Sequence, residues 1–192
     1  VSGIVTASNF DINSTTGLVN AGIITTKVLN VGVGGTIITT VDSVGVSSVG
    51  IGSTLPTALL DVGGHTKLKT YSENVEALTI VANSVTVDLS KAQTFTLSAS
   101  DNVTQFVVQN PPTGSTSFSI KITQDPTGNR SVGIDTFKDN GGTTIPVYWP
   151  GGLVPIVTTT ADKTDIYSFK AFDGDNLTSS GLYGVVGGQN FS

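Results

Sequence analysis

Strict alternation of apolar and polar residues marks strands in the second half of the chain. Val85, Val87 and Leu89 fall on one face, with Thr86 and Asp88 on the other. Phe95, Leu97 and Ala99 repeat that period, and so do Phe118, Ile120 and Ile122, with Ser119 and Lys121 opposed. Further strand-like segments cover 103–109, 130–137, 153–160, 164–172 and 181–187. Turn signals separate them: Asn110-Pro111-Pro112-Thr113-Gly114, Asp125-Pro126-Thr127-Gly128 and Asp139-Asn140-Gly141-Gly142. About eight or nine short strands at this spacing predict an all-β chain whose residues 71–192 form an antiparallel β-sandwich of jelly-roll type. Residues 71–77 could make a single helical turn, and no longer helix is expected.

Residues 1–70 have another texture. In the first 60 positions only Asp11, Lys27 and Asp42 are charged, and apolar pairs alternate with Gly and Thr. Gly3-Ile4-Val5 is echoed by Gly17-Leu18-Val19, and Ile23-Ile24-Thr25-Thr26 by Ile37-Ile38-Thr39-Thr40, both at a spacing of 14. Such echoes predict short strands that cannot bury their own apolar faces. Glycine does not recur at every third position, which excludes collagen. Several copies wound about one axis would bury the apolar pairs, so this part is expected to be an interwoven β shaft of several chains.

Composition narrows the function. The apolar fraction is 38% and the charged fraction only 12%, so the polarity comes from Thr, Ser, Asn and Gly, which suit strands and turns. A net charge of −5 leaves no basic patch for phosphates, and nucleic-acid binding is not expected. No apolar run is long enough for a membrane helix, and no leader pattern opens the chain. Residue 1 is Val and Met is absent, so a processed product or fragment is expected. The absence of Cys removes disulfides, thiolate nucleophiles and zinc–thiolate sites.

Candidate chemistry is sparse. His65, the one histidine, sits in a Gly-rich turn without a nucleophile beside it and reads as a surface or interchain packing residue. Glu73 and Glu76 could share one helical face, but nothing in the sequence opposes them across a cleft as glycoside hydrolysis requires. Asp173-Gly174-Asp175-Asn176 has the alternating oxygens of a calcium loop without the downstream Glu, and a hairpin turn explains it fully. Gly32-Val33-Gly34-Gly35 lacks the Lys and the helix of a phosphate loop. The Asn-x-Ser/Thr triplets at Asn13, Asn102, Asn129, Asn176 and Asn190 are expected by chance in this composition. Trp149 with Tyr148 reads either as a stacking platform for a sugar ring or as a core-capping Trp held by Pro150. No enzyme activity, metal or cofactor is expected.

Two sets of motifs carry a family resemblance. Val49-Gly50-Ile51-Gly52 through Pro56 to Leu60-Asp61-Val62-Gly63-Gly64 resembles a module of phage tail-fibre and similar fibrous surface proteins. From Ser84 onward, four further segments follow in order: Val85-Thr86-Val87-Asp88-Leu89-Ser90, Asn110-Pro111-Pro112, Thr123-Gln124-Asp125-Pro126-Thr127-Gly128-Asn129-Arg130 and Trp149-Pro150-Gly151-Gly152. Thr158–Lys163, Asp165–Phe169 and Tyr183-Gly184-Val185-Val186-Gly187-Gly188-Gln189-Asn190-Phe191 complete the set. Together these resemble the C-terminal domain of phage tail fibres, those of marine cyanophages in style. The resemblance implies a homotrimeric virion structural protein whose sandwich ends the fibre and recognises a host surface glycan or protein. Its N-terminal side would join other tail or capsid proteins. A capsid, neck or baseplate decoration protein is the second reading, and a surface-polysaccharide depolymerase the third. A bacterial surface adhesin is a further one. The chain departs from the fibre pattern at 137–147 and 176–181. Loops at a sandwich end carry binding specificity, so Asp139, Asn140, Tyr148, Trp149, Asp175, Asn176 and Ser179 are the expected receptor contacts.

Overall fold

The structure, a computed structural model, describes Thr40–Val41, Ser47–Ile51 and residues 58–192. The echoes over residues 3–39, Asn13 and the Gly32–Gly35 run lie outside the described residues. The chain divides into two compact units, Val1–Lys67 and Leu68–Ser192, each taken by itself below.

In the first unit, β1 (Thr40–Val41), β2 (Ser47–Ile51) and β3 (Leu60–Val62) form one small sheet in that order. β2 and β3 run parallel, pairing Val49 with Leu60, Gly50 with Asp61 and Ile51 with Val62. The Gly63 N–H continues the ladder to the Ile51 carbonyl at 2.9 Å. The Val-Gly-Ile and Leu-Asp-Val runs of the fibre-like module are therefore ladder partners. Ile51, Leu59 and Leu60 are exposed, so this short parallel pair and the residue before it leave these three apolar side chains uncovered.

The second unit is all-β apart from one α-helical turn and two 3-10 turns. Its strands are β4 (Val75–Leu78), β5 (Ile80–Val81), β6 (Ser84–Asp88), β7 (Thr94–Ala99), β8 (Gln105–Gln109) and β9 (Thr116–Gln124). They continue as β10 (Phe137–Lys138), β11 (Thr144–Ile145), β12 (Val147–Tyr148), β13 (Thr164–Ala171) and β14 (Leu182–Phe191), with α1 (Leu177–Ser180) before the last. A five-stranded sheet has the order β11-β10-β8-β6-β5, and a six-stranded sheet the order β12-β14-β13-β9-β7-β4.

The sheets are mixed, which corrects the antiparallel expectation. The chain alternates between layers, so that β6 and β8 belong to one sheet and β7 and β9 to the other. Each strand therefore returns to its own sheet two strands later, pointing the same way, and β6·β8 and β7·β9 pair in parallel. Antiparallel pairing is kept by β9·β13 and β13·β14. Inward residues of both layers make one core. Phe118 and Phe169 of the six-stranded sheet meet Phe137 of the other, ring centroids 6.4 and 4.9 Å apart. The three alternating sets behave as their period predicts: Val85, Val87, Phe95, Leu97, Ala99, Phe118, Ile120 and Ile122 are all buried.

Three further expectations are corrected. Residues 71–77 are not helical; Val75–Leu78 is a strand paired with β7. Residues 130–137 form no continuous strand. Val132 makes a lone bridge to Val103, and the Thr136 N–H closes a turn onto Gly133, although Val132 and Ile134 are buried as their alternation suggests. Residues 153–160 are extended without a ladder: Pro155 withholds a donor, and only Val157 is buried.

Candidate functional site

The segments that carry the family resemblance fasten one another. The Asp88 carboxylate accepts hydrogen bonds from Asn110 Nδ2 at 2.9 Å and from Ser90 Oγ at 2.7 Å, and these hold its pKa below the usual range. Asp125 accepts both Nε and Nη2 of Arg130, at 3.1 and 2.8 Å, and caps the N–H groups of Thr127 and Gly128. Arg130 is the main reason that its pKa is lowered. Gly128 has φ +67°, and a Cβ there would stand 2.7 Å from the Ala161 nitrogen, so this turn sits hard against the Thr159–Ala161 backbone. The Asn129 N–H bonds to the Thr159 carbonyl at 2.6 Å.

The third fastening is Asp165, 1% exposed. Its carboxylate accepts from Thr158 N at 2.7 Å, Tyr167 Oη at 2.9 Å, Gln189 Nε2 at 3.2 Å and Asn190 N at 2.8 Å. Burial disfavours its charge, but the Thr158 and Asn190 N–H groups outweigh that and keep its pKa low. Burial, and then the bond to this carboxylate, push the Tyr167 hydroxyl pKa up. The Gly-Gly-Gln-Asn run is where the β13·β14 register slips, from Ile166↔Gly188 to Thr164↔Phe191. Asn190 there has φ +60°, and this bulged strand end wraps the carboxylate. Asp125 and Asp165 accept on both carboxylate oxygens and Asp88 on Oδ1, and all three fasten turns and strand ends. Among the described residues no three His, Asp or Glu groups converge as a metal site would require.

Two loops meet instead at one cleft of about 250 Å³, whose lining includes Asn110, Pro111, Asp139, Asn140, Asp175 and Thr178. The first loop is the β10–β11 turn. Asp139 Oδ1 accepts from the Thr143 N–H at 2.7 Å, and Gln109 Nε2 fixes Asn140 Oδ1 at 2.7 Å. The second runs from Phe172 to Gly181. It is a 3-10 turn (Gly174–Asn176) followed by α1, not the hairpin turn expected from the sequence. Gly174 anchors it: its N–H bonds to the Gly114 carbonyl at 2.7 Å, and a Cβ would collide with the Pro112 carbonyl. Asp173 accepts from Asp175 N and Asn176 Nδ2, while Leu177 is buried beneath. The Asp175 carboxylate and the Asn140 amide hydrogens keep no partner among the described residues. The cleft thus offers an acceptor and donors to a polar ligand.

At the base of the second loop stands an exposed aromatic row. The rings of Tyr148 and Tyr183 are 5.1 Å apart, and those of Phe172 and Tyr183 are 5.3 Å apart, nearly perpendicular. Parallel pairing of β12 with β14 sets Tyr148 beside Tyr183, and Gly181 leaves room for the Tyr148 ring.

The expected contacts therefore separate. Asp139, Asn140 and Asp175 share the cleft; Asn176 is turned to Asp173; Ser179 is exposed on α1; Tyr148 lies in the aromatic row. Trp149 is not a platform. It is 6% exposed, edge-on to Tyr167 and Phe169 and packed on Gly184, which settles its two readings for the core. Its indole N–H has no partner among the described residues. Sequence reasoning missed Phe172 and Tyr183, although both sit at outward positions of strands it had placed. His65 is exposed, Glu73 accepts from Thr94 Oγ1 at 2.9 Å, and Glu76 faces Lys91 at 3.9 Å. No helix among the described residues is long and apolar enough to cross a membrane. No protein-family model, curated protein or solved structure matches the chain.

Proposed function

We propose that this chain is a homotrimeric virion fibre protein, in which residues 1–70 belong to the shaft and residues 71–192 form a tip that attaches to a host surface. The observation that carries the attachment reading is the meeting of the two loop regions that depart from the fibre pattern, with Asp139 and Asn140 across one cleft from Asp175. Asp88, Asp125 and Asp165 of the other segments are held by hydrogen bonds within the unit, so specificity is sought in these loops and in the aromatic row beside them. Unpaired amide and carboxylate groups next to exposed aromatic rings suit a surface glycan or a polar protein loop. In the first unit, Ile51, Leu59 and Leu60 are 58%, 73% and 60% exposed in the single chain, which favours burial between copies. Three tips on one shaft would convert weak single contacts into useful avidity.

The reading is tested by decorating virions with an antibody raised against this chain and locating the label by electron microscopy. Label at the distal end of an appendage is expected. Label on the capsid wall, neck or baseplate assigns the chain to particle stabilisation and overturns attachment.

A further inference from the structure

The flank of the six-stranded sheet opposite β4 is built differently from the rest of the second unit. β12 pairs with β14 only at Leu182 and Tyr183, so from Gly184 onward the outer edge of β14 has no strand partner among the described residues. Along that edge runs the segment 153–157. Gln189 Nε2 ties it there through the Ile156 carbonyl at 2.6 Å, but among the described residues the N–H groups of Val154, Ile156 and Val157 have no backbone partner. The side chains on this flank are apolar and uncovered: Leu153 is 78% exposed, Ile156 88%, and Val154, Val185, Val186 and Phe191 are close to half exposed. A long, unpaired, apolar strand edge is a liability that soluble proteins cover or charge.

The flank carries no charge. Neither 147–160 nor 181–192 contains an Asp, Glu, Lys or Arg, in a chain whose net charge is −5. A copy that docks here meets no charged side chain of these two segments, so the contact desolvates no charge. Leu153 and Ile156 stand almost wholly exposed in the single chain, and a docked copy would remove their apolar surface from water, the main term that favours association.

The geometry points to this flank, the open edge of β14 with Leu153–Ile156 alongside, as the surface on which a second copy of the chain docks. The inference rests on the homotrimeric reading above and adds to it where the tips touch. The neighbour's backbone or side chains supply partners for the open edge, and its apolar residues cover Leu153 and Ile156. The cleft and aromatic row are left at the loop end for a receptor.

The chain has no cysteine, so single thiols report cleanly. Ile156→Cys and, as an exposed control, Ser100→Cys are introduced separately into the full chain. Each variant is reacted with a thiol reagent, and the mass of each is measured by light scattering. The expected result is an oligomer in which the thiol of the Ile156→Cys variant reacts about tenfold or more slowly than that of the control, with the difference lost in denaturant. Oligomers in which both thiols react alike overturn the docking surface and leave the trimer reading standing. A monomer whose thiol on the flank reacts freely overturns both. A monomer whose thiol on the flank is protected assigns the cover to the chain's own residues and likewise overturns the inference.

Discussion

At the scale of single residues, buried polar groups on this chain are fastenings. Asp165 is the clearest: it is enclosed by apolar strands, and four donors compensate its charge. Its folded pKa lies below the value near 3.9 of an unfolded chain, so its contribution is complete above that value and is lost as pH falls through the folded pKa. Tyr167 works in the opposite sense: with a raised pKa, its contribution is lost as pH climbs beyond about 10. Thermal unfolding followed by circular dichroism is therefore expected to give a plateau across neutral pH, with falls below about pH 4 and above about pH 10. Replacing Asp165 by Asn should remove about 1–3 kcal/mol in urea titrations and flatten the acid limb. An unaltered acid limb in that variant would place the acid sensitivity elsewhere. The sequence marked Asp165 only as part of a family-like segment, because the donors that define its role lie as far as 25 positions away along the chain. Trp149 was ambiguous for the same reason: a ring stacked on Gly184 leaves no local pattern.

At the scale of elements, alternation served well where a strand has one buried and one open face. β6, β7, β9 and β13 follow their period residue by residue. It could not reveal direction, since period-2 patterning is identical in parallel and antiparallel ladders. It also overread 130–137, where inward residues are buried by a turn, and 153–160, where Pro155 and the open flank leave apolar residues without a ladder. The two loops were legible as departures from a pattern, but their meeting at one cleft follows from the fold. That meeting has a measurable consequence. The double variant Asn140→Ala/Asp175→Ala should unfold within about 0.5 kcal/mol of wild type, because neither side chain supports the core. It should bind about tenfold or more weakly to cells that the wild-type protein decorates. Undiminished binding would move the receptor contact away from the cleft.

At the scale of the whole molecule, two kinds of surface are left over among the described residues. One is polar and concave, at the loop end of the sandwich. The other is apolar, on the β14 flank and on the exposed Ile51, Leu59 and Leu60 of the first unit. A monomer has no use for the second kind, while a fibre built from several copies does, and the charge-poor first 60 residues fit the same need. Light scattering on the full chain, coupled to size-exclusion chromatography, addresses this most directly. Three copies of the 19.6 kDa chain, about 59 kDa, is the predicted mass. A stable particle of 19.6 kDa would contradict the account.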